Sequence, residues 1–72
     1  MLTYHVVFLQ WCQVLYAFAA RNTQEVSLCE GEVVCIKSKC DLDGNSEWWL
    51  VSTKDGRTGY APANYLEMIK QP

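Results

Sequence analysis

Histidine occurs once, at His5, and the four cysteines, Cys12, Cys29, Cys35 and Cys40, are never spaced as Cys-x-x-Cys. Zinc needs closely spaced ligand pairs, so no metal is expected. A lone histidine at the start of the chain leaves no nucleophile–base pair. A phosphate-cradling glycine loop, a dinucleotide fingerprint and a recognisable carboxylate pair are also missing, so neither catalysis nor a cofactor is expected. Positive charge is scarce too: six Lys and Arg face eight Asp and Glu, a formal net charge of −2. That balance argues against nucleic acid, whose phosphates demand a basic stripe, and leaves room for a partner carrying Arg or Lys. No Lys or Arg precedes Arg21. Ala17-Phe18-Ala19 has the spacing of a leader-cleavage site, but the basic start of a leader is missing, and cleavage would remove a strand. The apolar start is too short to span a bilayer. The expectation is four reduced thiols in a reducing, cytoplasmic compartment.

What the chain does have is apolar and aromatic. Half of its 72 residues are apolar, and three Trp, four Tyr and two Phe are among them. A single domain of this size has a thin core that cannot hold so many rings, so some should lie outside as a binding face. Residues 1–12, MLTYHVVFLQWC, carry no Asp, Glu, Lys or Arg and read as a flanking segment that adds a strand, covers part of the domain or mediates self-association. Residues 13–69 read as the domain and 70–72 as a tail.

Short strands and turns follow. Val14 to Phe18 is a first strand, and Val26-Ser27-Leu28 is an apolar alternation within a polar stretch that Gly31 ends. Glu32 to Lys37 is a strand with Val34 and Ile36 on one face and Val33 and Cys35 on the other. Residues 38–46 form a loop turning at Asp43-Gly44-Asn45. Glu47 to Thr53 and Arg57 to Ala61 are strands joined at Lys54-Asp55-Gly56, where Asp-Gly suits the positive φ of a hairpin turn. Pro62 to Tyr65 is one helical turn at most, and Leu66 to Ile69 closes the domain. Five short strands without an amphipathic helix must hide their edges, which predicts an all-β barrel or a pair of orthogonal antiparallel sheets. Its predicted core is Val14, Val26, Leu28, Val34, Ile36, Val51, Ala61 and Leu66, with Gly59 where two backbones approach closely.

Three clusters concentrate aromatics beyond what a core needs: Val14-Leu15-Tyr16-Ala17-Phe18, Glu47-Trp48-Trp49-Leu50-Val51, and Gly59-Tyr60-Ala61-Pro62-Ala63-Asn64-Tyr65-Leu66. Here the chain resembles the Src-homology-3 (SH3) family over Gln13 to Ile69. VLYAF is similar to that family's ALYDY stretch, RNTQEVSLCEGE to its RT loop and diverging turn, EWWLV to its tandem-Trp strand, and GYAPANYL to its G-Y-x-P-x-N-Y-[VL] ending. Each motif alone is weak; four in order at matching spacings are specific. The resemblance implies a five-stranded SH3-like barrel with one short 3-10 turn, and a module that docks proline-rich peptides inside a larger scaffold, adaptor or signalling protein.

By that resemblance Tyr16, Phe18, Trp48, Pro62 and Tyr65 line the peptide groove, with Trp48 dividing it. Asn64 hydrogen-bonds a peptide carbonyl, Tyr60 stands at the rim, and Glu25 pairs with a ligand Arg or Lys, with Glu47 assisting from the other side. The chemistry is coherent. A polyproline II ligand is already extended, so it loses little entropy when X-Pro pairs settle between parallel ring ridges. Trp48 N–H, the Tyr hydroxyls and the Asn64 amide suit its exposed carbonyls. Departures from the family pattern are Ala17 for Asp, Phe18 for Tyr and Ala63 for Ser, and the RT loop holds a single carboxylate between Arg21 and Leu28. The loop from Ser38 to Glu47 is long and acidic. Its C-D-L-D-G-N-S-E-W-W run is similar to modules of Rho-family exchange factors, and it is expected to tune the ligand's flanks. Asp41 to Asn45 also resembles the start of a calcium loop, but Ser46 and Ser52 stand where that pattern requires Gly and Glu. A rival reading is a structural or self-associating module that uses residues 1–12 or another face. A barrel reading modified lysine is disfavoured by the prolyl motif.

Overall fold

The computed structural model describes residues 10–70. The proposed self-association segment, residues 1–9 in particular, lies outside them. Cys12 and Val14 are buried and alternate with the half-buried Trp11 and the exposed Gln13. That two-residue period makes β1 (Gln10–Val14) the first strand. It ends where a strand was expected to begin, because Val14-x-Tyr16-x-Phe18 has the same period as Cys12-x-Val14. Past Val14 the backbone leaves the ladder, and Phe18 retains only an isolated antiparallel bridge to Leu28.

The other elements fall within about one residue of expectation: β2 (Val33–Ser38), β3 (Trp48–Ser52), β4 (Thr58–Pro62), a 3-10 turn (Ala63–Tyr65) and β5 (Leu66–Ile69). All ladders are antiparallel. They join in one continuous five-stranded sheet of order β4-β3-β2-β1-β5, the all-β, five-stranded arrangement that was expected. The register shifts between Ile36 and Ser38, where β2 pairs with β3. Such an irregularity bends a strand and increases its twist, so a single sheet can curl over its own core.

All eight predicted core residues are buried, joined by Cys12. Cys35 is buried as well, on the face opposite Val34 and Ile36, across from Trp11 in the β1–β2 register. The free edge of β4 is covered by the RT loop: Tyr60 N–H donates to the Gln24 carbonyl at 2.8 Å, and Val26 N–H donates to the Tyr60 carbonyl at 3.1 Å. This contact explains Gly59. A Cβ there would lie 2.9 Å from the Glu25 carbonyl carbon and 2.9 Å from the Val26 nitrogen. The 53–57 turn is locked by Thr53, which is buried. Its hydroxyl donates to Asp55 and accepts from Arg57 N–H. Gly56 supplies the positive φ, 91°. Arg57 then reaches the Ser27 carbonyl at 2.7 Å, tying this hairpin to the diverging turn.

Candidate functional site

Strand periodicity sorts the tandem tryptophans. Trp49 packs against the core and donates its indole N–H to the Ser46 carbonyl at 2.9 Å. Trp48, one residue earlier, therefore faces the other way. There it meets Phe18, with ring centroids 5.9 Å apart. Phe18 in turn touches Tyr65 at 6.1 Å, and Tyr65 touches Tyr16 at 5.4 Å. Four rings from three separated sequence segments thus form one continuous surface. Their planes meet at 64–90°, edge to face where parallel ridges were expected. Edge-to-face packing brings a positive ring edge against a negative ring face, so each ring braces the next. Tyr16 remains 59% exposed.

Trp48 stands between two hollows. On one side a hollow of about 480 Å³ is lined by Trp48, Pro62, Ala63 and Asn64, with Ser46 and Glu47 at its margin. Pro62 is held opposite Trp48 by the β3–β4 register, and Ala63 N–H donates to the Glu47 carbonyl at 2.9 Å. On the other side a hollow of about 380 Å³ lies between the RT loop and the 38–47 loop. Arg21, Glu25 and Tyr60 form one wall, and Asp41, Leu42 and Asp43 the other. Asp41 has a local task there: its Oδ1 accepts the N–H groups of Asp43 and Asn45, both at 2.9 Å. The residues that resemble a calcium loop are thus a carboxylate-capped turn.

Of the sequence-predicted residues, Tyr16, Phe18, Trp48 and Tyr65 come together as the ring surface, and Pro62, Asn64 and Glu47 gather in the hollow beside it. Tyr60 and Glu25 belong to the opposite hollow, and Glu25 is not free. Its side chain is 8% exposed and pairs with Arg21 at 2.9 Å. That partner's hydrogen bonds, from side chain and backbone, hold the Glu25 carboxyl below its usual range. Arg21 and Leu42 were not singled out from the sequence. Arg21 had a signal, an opposite charge four residues from Glu25. Leu42, 81% exposed, had none.

All four cysteines are free thiols, Cys12 and Cys35 buried, Cys29 and Cys40 exposed. Burial pushes the Cys12 thiol pKa up, which makes it inert. Among the described residues no helix is long and apolar enough to cross a membrane.

The profile described as "Variant SH3 domain" matches residues 14–67, so the chain belongs to the SH3 family, whose members are non-catalytic protein-interaction modules. It is 47% identical over 57 residues to mouse epidermal growth factor receptor kinase substrate 8-like protein 3, covering 79% of this chain and 9% of that protein. It is 52% identical over 52 residues to mouse Rho guanine nucleotide exchange factor 38, covering 72% of this chain and 7% of that one. The chain therefore spans less than a tenth of these relatives. Among solved structures it is similar to the C-terminal SH3 domain of myosin IB from Entamoeba histolytica bound to an EhFP10(GEF) peptide. The TM-score is 0.78 and the identity 28%, over 90% of this chain and all of that one.

Proposed function

We propose that this domain binds proline-rich segments of other proteins in polyproline II conformation, laid across Tyr16, Tyr65, Phe18 and Trp48. The observation that carries this reading is Trp48, an indole standing between two hollows and continuous with three further rings. X-Pro units fill the spaces on either side of each ridge, and Asn64, the Trp48 N–H and the Tyr16 and Tyr65 hydroxyls meet the ligand's carbonyls. The peptide-bound relative supports peptide binding by a domain of this fold. The contacts are small, so affinity should be weak, on the order of micromolar or about −8 kcal/mol. The domain then works as a monomeric module of a longer signalling or scaffold protein in a reducing compartment, as the exposed thiols Cys29 and Cys40 favour.

An amide-shift titration with proline-rich peptides in both orientations tests this. Shifts should cluster at Tyr16, Phe18, Trp48, Asn64 and Tyr65. Trp48→Ala should weaken binding at least about tenfold, roughly 1.4 kcal/mol, while the spectrum stays folded. Shifts confined to the outer face of β1 and β5, or an unfolded Trp48→Ala, would remove the proposal.

A further inference from the structure

The hollow between the RT loop and the 38–47 loop already contains a cation. Glu25 Oε1 accepts from the Arg21 backbone N–H at 2.9 Å and from Arg21 Nε at 3.1 Å. Its Oε2 accepts from Arg21 Nη2 at 2.9 Å and from Asn22 Nδ2 at 3.3 Å. A carboxylate offers about four lone-pair sites; all of Glu25's are taken, three of them by Arg21. The same guanidinium lies 5.0 Å from the centre of the Trp48 ring, so it also occupies the aromatic face that a ligand cation would seek.

We infer that Arg21 is the residue that sets charge selectivity in this domain: by holding both Glu25 and the Trp48 face, it stops the domain from selecting ligands with a basic flank through Glu25. This rests on the peptide-groove reading above and refines it. A ligand arginine entering the hollow would exchange one guanidinium–carboxylate pair for another of the same chemistry. Charge energy gains nothing from that exchange, and the intruder competes with a group tethered four residues away at high effective concentration. The Glu25 backbone is fixed against β4, between the Gln24 and Val26 bonds to Tyr60, so only its side chain could turn towards a ligand, and turning would break the four bonds its carboxylate accepts. Arg21, by contrast, has a 65% exposed side chain and no other described ion-pair partner, so removing it frees Glu25 without opening the core. Asp41 and Asp43 still attract cations, but as an undirected field that is the same with or without Arg21.

The test uses three peptides sharing one proline core and carrying Arg, Ala or Glu at the flanking position, titrated against the unaltered chain, R21A, R21K and R21A/E25Q. The ratio of Arg-flanked to Ala-flanked affinity should be only modestly above unity for the unaltered chain, set by the Asp41 and Asp43 field alone. It should rise about fivefold in R21A, as a newly available charged pair allows. R21K, a point charge without the fork, should fall between, and R21A/E25Q should return to the starting ratio. Equal ratios in the unaltered chain and R21A overturn the inference. A preference for the Glu-flanked peptide that R21A abolishes also overturns it, because Arg21 would then contact ligand directly. Failure of every variant to bind the shared core would instead strike the groove reading itself.

Discussion

Single residues differ in whether their role is visible before folding. Gly59 shows why: its close approach to Glu25 and Val26 was expected from a glycine inside a strand. The magnitude, a Cβ 2.9 Å from two backbone atoms, sets the effect. Neither neighbour is a flexible side-chain tip, so Gly59→Ala should cost about 1–3 kcal/mol. Denaturant unfolding should show a lower midpoint with an unchanged slope. The candidate groove residues were legible because aromatics occur where burial does not need them, and four motifs agreed. Glu25 was legible as a position but not as a state. Its neutralisation depends on a loop that brings Arg21 round in three dimensions, and one carboxylate in a polar stretch looks the same paired or free.

At the scale of elements, β2 to β5 were readable because turn residues bracket them: Gly31 before β2, Asp43-Gly44-Asn45 before β3 and Asp55-Gly56 before β4. β1 was displaced because nothing brackets it, and its period runs on unbroken into the groove segment. The 53–57 hairpin also carries more chemistry than its Asp-Gly signal announced. Asp55 accepts from the Thr53 hydroxyl and from Arg57, and both hold its carboxyl below the usual aspartate range. A carboxyl depressed in the folded state stabilises above its unfolded pKa, and that contribution is lost as pH falls through the folded value. Glu25 has the same sign. The thermal midpoint should therefore hold near neutrality and decline below about pH 4. Asp55→Asn should flatten that decline while lowering the plateau, measurable by melts across a pH series.

At the scale of the molecule, the sheet order places β1 in the interior, between β2 and β5. The recognisable family pattern begins at residue 14, yet Trp11 pairs with both Cys35 and Ile69, and Cys12 with both Val34 and Met68. Residues 10–12 read as flank because their buried member is a cysteine between a tryptophan and a glutamine, which no alternation rule marks as core. A chain starting at Gln13 should lose at least about 2 kcal/mol, roughly 10 °C in melting midpoint. Equal midpoints for chains starting at Gln10 and Gln13 would show that these rungs contribute nothing.

Trp11 faces Ile69 across the β1–β5 ladder, so the polypeptide enters and leaves the sheet at neighbouring rungs. Traction applied at those two points would not shear the ladder along its length. It would open one rung at a time, from Trp11–Ile69 towards Val14–Leu66, as a zip opens from its pull. Within a longer polypeptide such a fold would hang as a pendant, lengthening its host little while intact and yielding at low force when that host is stretched.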